Sequence, residues 1–465
     1  MKLKEIIIGS VLLAAGTSLF FACSDKLQVY PNVYDTPDSS DTVVAVFQHP
    51  GMLHTDADFL FVKQKVNAGE TPWKNAYDHL TKSQYAQSSW AAHPVKLLAR
   101  LDYNNWHDTY PDDYSNYTYL MRDAAAAYQL ALRWKISGDD QYAKAGIAIL
   151  NAWAATCTGY IVNSNGEFID PNEYLISIQI YQLANAAEVL RTSSLWAPAD
   201  FNKYKQWMVD VFYPQLTKFL SLHGDQTSCP LHYWLNWDLA TMTGIMSIGI
   251  LNDNQAMINE VVRYFKNGAG SGNIQNAVPF VAKDPDSDEI LGQCQESGRD
   301  QGHATLCVSL MGVLCQMAKN IGVDLLTYDN NRALAMCEYV GKYNLGKVEM
   351  QNAGANGWTM SDFNYSATSL PYTTYTNCTG NEWPSLSFEE HKTGADTRGT
   401  VRPAWELINR LAQDYGISDI YSKMWVDKMR ENTALDGTDG GAGDYGPNSG
   451  GFDQLGYGTL MFAKQ

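Results

Sequence analysis

The sequence predicts an all-α protein, an incomplete (α/α) toroid of helical hairpins with long loops over one mouth. Three observations carry that expectation. Apolar residues recur at helical spacing in consecutive pairs of segments, the connections alternate between tight turns and long Gly-, Asn- and Tyr-rich stretches, and no strand-helix alternation appears. An open helical solenoid would also suit hairpins that lack a short sequence repeat. Long loops on alternate connections favour the ring, where they converge over one mouth.

In chain order, "YLMRDAAAAYQLALRWKIS" (119–137) has apolar residues three and four apart, breaks at "GDD", and resumes as "QYAKAGIAILNAWAAT" (141–156). The pattern returns at 173–193 with 200–222, 234–251 with 254–267, 301–321 with 331–344, and 402–416 with 418–431. The long connections are 86–117, 268–300, 345–400 and 433–460. Long loops inside a compact domain usually carry function. The glycine-rich "GGAGDYGPNSGGFDQLGYGTL" (440–460) reads as a loop folding across the end of the ring. It is no phosphate loop, since no G-K-[ST] follows and no strand precedes it.

The 465 residues are 45% hydrophobic, enough to bury one large core. A net charge of −17 with no run of Lys or Arg argues against a nucleic-acid footprint. It leaves room for a polyanionic substrate at a local basic site. Thirteen Trp and 28 Tyr suit carbohydrate stacking, although most such rings belong to a core. The start, "MKLKEIIIGSVLLAAGTSLFFACSDK", has a basic end, an apolar stretch to Ala22 and then Cys23. It reads as a lipoprotein signal peptide (1–22), with Cys23 expected to be lipidated and 23–45 a flexible tether to a domain over 46–465. The protein is thus expected to be exported and to meet the membrane only through that anchor. The remaining cysteines, 157, 229, 294, 307, 315, 337 and 378, fit no disulfide framework or metal spacing and read as mostly buried thiols.

Candidate chemistry concentrates in four stretches. "LGQCQESGRDQGHATL" (291–306) opens an apolar helix; if that helix starts near Glu296, then Glu296, Arg299 and His303 share one face and Asp300 lies off it. A solvated helix start is the bland alternative. "CPLHYWLNWDLATMTGIMSIGI" (229–250) places Asn236 between Trp234 and Trp237 at the start of an apolar helix. That amide suits a cap or a donor to a substrate carboxylate, with His232 close upstream. "SATSLPYTTYTNCTGNEWPS" (366–385) offers Tyr372, Tyr375 and Trp383 as proton donors or stacking platforms. The fourth is the closing loop. No H-E-x-x-H, no G-x-S-x-G and no calcium-loop spacing occurs, so neither metal nor cofactor is expected.

Together "GQCQESGRDQGH" (292–303), "LNWDLATM" (235–242), "LPYTTYTNC" (370–378), "RGTVRPAWELI" (398–408) and "GPNSGGFDQLGYGTL" (446–460) resemble the alginate lyase superfamily, most of all polysaccharide lyase family 38 and related bacteroidal lipoproteins. "HPGMLHTDADFLFVKQKVNAGETPW" (49–73) fits as well. The resemblance implies an (α/α) toroid that cleaves uronate-containing glycans by metal-free β-elimination. Such chemistry needs the uronate carboxylate neutralised, a base at C5 and an acid at O4. Asn236 and Arg299 suit the first role and His303 the second, since imidazole titrates nearest neutral pH. The better-known pattern pairs Asn with His and places a Tyr two turns after the arginine. This chain has Asn236-Trp237, and Thr305 or Leu306 where the Tyr falls, which assigns the acid to another loop, Tyr372 first and Tyr375 second. Glu296 is expected to orient Arg299 or His303. Trp106, Trp237 and Trp383 are candidate stacking residues. Two other classes compete: a non-catalytic surface glycan-binding lipoprotein, and a toroidal glycoside hydrolase, which needs a second carboxylate beside Glu296.

Overall fold

The computed structural model describes residues 42–101, 116–222, 233–345, 370, 375–376, 382–383, 398–399, 401–431, 433–445 and 451–464. Its helices are α1 (Asp56–Asn67), α2 (Trp73–Lys82), α3 (Tyr117–Ser137), α4 (Asp140–Thr156), α5 (Ser177–Leu190), α6 (Pro198–Trp207) and α7 (Tyr213–Leu222). There follow α8 (Leu235–Leu251), α9 (Gln255–Asn267), α10 (Gln301–Asn320), α11 (Tyr328–Leu345), α12 (Trp405–Tyr415) and α13 (Ile420–Met429). The hairpins fall where the periodicity placed them. The "GDD" break works by paired caps: Gly138 ends α3 in the left-handed conformation (φ 78°), and the Asp139 side chain accepts from the Gln141 amide to start α4.

Helices α3, α5, α8, α10 and α12 pack side by side in that order and form the inner ring; α4, α6 with α7, α9, α11 and α13 lie outside them. Burial shows the difference. Every residue of α5 is buried, whereas α6 buries only Tyr204 and Trp207. An inner helix is covered by two ring neighbours, an outer helix and the centre, so residues on every side of it, polar ones included, are buried. Helices α1 and α2 and the short turn Gly458–Met461 bridge the gap between α12 and α3. The architecture is an (α/α) toroid.

The inner helices also bury amides, and the glycine-rich C-terminal segment meets them. Gln182 donates to the Phe452 carbonyl at 3.0 Å and Gln129 to the Ala442 carbonyl at 3.4 Å. Two features were not legible in the sequence. The 268–300 connection contains an antiparallel hairpin, β1 (Phe280–Lys283) with β2 (Ile290–Gln293), fastened to α11 by a buried ion pair of Lys342 with Asp284. Strands of four residues are too short to reveal a period. Residues 43–45, the end of the expected tether, lie along α9, where the Ala45 amide donates to Gln255 Oε1 at 2.9 Å. The signal segment itself, 1–22, lies outside the described residues.

Candidate active site

Two inner helices begin at the same place, and the chain ahead of α10 supplies the caps of both. Helix α8 has no side-chain cap of its own at Trp234; instead the Leu235 amide donates to Gln295 Oε1 at 3.0 Å and the Asn236 amide to Glu296 Oε1 at 2.7 Å. The same Glu296 oxygen accepts Asn236 Nδ2 at 2.7 Å and Cys307 Sγ at 3.2 Å, while Oε2 accepts Arg299 Nη1 at 3.1 Å. Glu296 is fully buried, and this network fixes the Asn236 side chain.

Helix α10 starts at Gln301, where the helical spacing begins, and not near Glu296, because Asp300 is its N-cap. Glu296 and Arg299 therefore belong to a turn, closed by the Arg299 amide on the Glu296 carbonyl at 2.9 Å, and share no helix face with His303. The correction reaches the roles. Asp300 accepts the His303 amide on Oδ1 at 2.9 Å and the His303 ring, through Nδ1, on Oδ2 at 2.6 Å. Asp300, expected off the working face, orients the histidine; of the two partners expected for Glu296 it meets Arg299, and it also holds Asn236. Burial works to raise the Asp300 carboxyl, but the hydrogen bonds from His303 and the charges of His303 and Arg299 outweigh it and hold it below its ordinary range. A proton on Nδ1, shared with that carboxylate, leaves Nε2 as the lone-pair nitrogen.

His303 and Asn236 line one cavity of about 200 Å³, with Arg100, Leu175, Ile178, Leu306, Arg402 and Asp453. Leu306 occupies a position where the better-known pattern has tyrosine, and it presents an apolar wall. Arg299 is not among the lining residues; its guanidinium lies over the Trp234 ring at 4.3 Å, between Glu296 and Asp300. The guanidinium groups that face the cavity belong to Arg100 and Arg402. Arg402 is buried and tied to the Thr305 hydroxyl at 3.0 Å, the Gly302 carbonyl at 3.0 Å and Asp453 at 3.4 Å. Arg100 stacks over Tyr117 at 4.7 Å, and its Nη1 is buried with no hydrogen-bond partner among the described residues. An unsatisfied buried guanidinium nitrogen beside a cavity is a site for an anion.

Trp237 turns away from the cavity, stacking on Tyr233 at 5.5 Å and meeting Phe219 at 6.2 Å. Tyr375 and Trp383 are register partners in the short pair β3 (Tyr375–Thr376) and β4 (Glu382–Trp383); their side chains, and the whole of Trp106, His232 and Tyr372, lie outside the described residues. The five described cysteines are free and buried. Sequence reasoning missed Arg100, Arg402 and Asp453. Arg402 stood inside a motif already singled out, whereas Arg100 follows an irregular stretch with no periodicity to single it out.

A family model described as alginate lyase matches residues 64–350. Among solved structures, alginate lyase A1-III from Sphingomonas species A1 is 14% identical and covers 92% of this chain and 100% of its own, with a TM-score of 0.53. A histidine-to-alanine variant of A1-III complexed with a tetrasaccharide gives 13% identity, 90% and 97% coverage, and 0.52. An alginate lyase from Bacteroides ovatus gives 14%, 83% and 97%, and 0.51. No curated protein sequence matches the chain significantly.

Proposed function

The chain belongs to the alginate lyase family, whose model spans more than half of it, and from that premise we propose how this polysaccharide lyase cleaves alginate or a related polyuronate such as mannuronan or glucuronan. The observation that carries the reading is one cavity lined both by His303, its Nδ1 occupied by Asp300, and by Arg100, whose Nη1 is buried without a hydrogen-bond partner among the described residues.

In the proposed reaction Arg100 and the Asn236 amide neutralise the uronate carboxylate. His303 Nε2 takes the C5 proton, and the electron pair of that C–H bond moves into the carboxylate, where the same donors stabilise the growing charge. The pair then returns to form the C4=C5 double bond as the C4–O4 bond breaks. Tyr372, with Tyr375 next, is assigned the proton to the leaving O4, so the sugar departs as an alcohol. Arg299 acts behind Asn236 through Glu296 rather than on substrate. The motifs support a reading close to polysaccharide lyase family 38, and the N-terminal segment supports one in which the protein is exported and anchored to the cell envelope at Cys23.

The test is incubation with polymannuronate, polyguluronate, glucuronan and a neutral glycan, following the ultraviolet absorbance of the new double bond. Absorbance with any uronate polymer supports the reading. New reducing ends without it would indicate hydrolysis, and retention of polymer with neither would indicate a binding protein; either outcome sinks the proposal.

A further inference from the structure

An aromatic run starts next to the cavity residue Asp453 and reaches the surface. Phe452 precedes the cavity residue Asp453 and packs edge-on to Tyr85 at 5.4 Å; Tyr85 meets Trp90 at 5.0 Å, Trp90 meets His93 at 5.7 Å, and His93 stacks on Tyr119 at 6.0 Å. The inner end is buried, with Phe452 8% exposed, while the outer end is open, with Tyr119 43% exposed and the His93 side chain 48%.

The exposed end is held rigidly from below. Asp123 at the start of α3 is wholly buried and accepts four donors: Trp90 Nε1 at 2.9 Å, Trp153 Nε1 at 2.8 Å, the His93 amide at 2.6 Å and the His93 ring through Nδ1 at 3.2 Å. A carboxylate inside the fold thus fixes an exposed histidine ring, which a packing role alone would not require. The stacked faces of His93 and Tyr119 suit the apolar face of a sugar ring, and His93 Nε2, which has no hydrogen-bond partner among the described residues, suits a sugar hydroxyl. Both signs of charge lie near the run, since Asp444 as well as Arg122 acts on the Tyr85 phenol. Arg122 is exposed on the same helix and near enough to Tyr85 for its charge to oppose the rise that burial imposes on that phenol. Arg100, at the cavity, stacks on Tyr117, which packs beside Phe452 and Tyr85.

We propose that His93 and Tyr119, backed by Trp90 and Tyr85 and flanked by Arg122, form a distal subsite that binds the polyuronate chain beyond the bond being cleaved. The inference rests on the polyuronate reading above and adds to it the direction in which the chain leaves the cavity. Rigid rings bind at low entropic cost, so the subsite favours long chains over short ones.

The experiment compares Tyr119→Ala and His93→Ala with the parent protein, measuring KM on the polymer and on a trisaccharide together with gel retardation by immobilised polymer. The ratio of polymer KM to trisaccharide KM should rise about three- to tenfold in each variant, the scale of one lost ring contact. Retardation should weaken in parallel. General structural damage would move both substrates alike and lower the thermal midpoint. An unchanged ratio and unchanged retardation in both variants overturn the subsite. A parent protein retarded by polymer without cleaving it, and released by Tyr119→Ala, overturns the lyase reading while the subsite stands.

Discussion

The two walls of the cavity are built on opposite terms. On the wall where α8 and α10 begin, each functional side chain is tied by a charged neighbour: Asn236 by Glu296, and His303 by Asp300, through contacts of 2.6–2.9 Å. In the rest of the lining Arg100 Nη1 and Asp453 Oδ1 are buried with no hydrogen-bond partner among the described residues. The first wall is finished before substrate arrives, as groups that must meet a reacting atom at fixed geometry should be. The second carries polar groups whose desolvation cost is not yet met, and an anionic sugar supplies what they lack.

This contrast is broken most sharply on the finished wall. His303→Ala should lower kcat by about 10²- to 10⁴-fold, the scale of a lost general base, with KM little changed. Asn236→Ala should cost about 10²-fold in kcat, the scale of a lost charge-stabilising donor, measured by initial rates of double-bond formation. Full activity in His303→Ala would remove the histidine from the mechanism. On the open wall Arg100→Ala should act on binding as much as on turnover. Losing one charge-assisted hydrogen bond lowers kcat/KM by about 10- to 100-fold, largely through KM, and the loss should fade when the uronate carboxylate is esterified. An equal loss on ester and acid would mean that Arg100 meets another part of the sugar.

How much of this was legible follows the same division. Helical spacing, the Gly138–Asp139 caps and the largely apolar inner helices are local properties, and the sequence displays them directly. His303 and Asn236 were legible because polar residues interrupt otherwise apolar helices. The cap of α10 was not, since a Glu and an Asp four residues apart both make plausible caps. Only the fold shows that Asp300 caps its own helix while Glu296 caps α8, which begins 61 residues earlier. Arg100 was illegible for a related reason: its meaning lies in which groups fail to reach it, and that is a fact of three dimensions.

Glu173 refines the comparison, because it is unpaired without facing the cavity. It is buried just before the cavity residue Leu175, both carboxyl oxygens lack a hydrogen-bond partner among the described residues, and burial pushes its pKa up to about 8 from an ordinary 4.5. A raised carboxyl is neutral in the fold where it would be ionised in the unfolded chain. Its cost to stability is therefore absent below pH 4.5, grows as the pH rises, and is complete above about 8. Glu173→Gln, which cannot ionise, should match the parent thermal midpoint in acid and exceed it by a few degrees in alkali, with kcat unchanged at neutral pH. A midpoint difference that stays constant with pH would show that Glu173 is paired in solution. A fall in kcat would place it on the open wall beside Arg100, where an unpaired group serves substrate rather than merely costing stability.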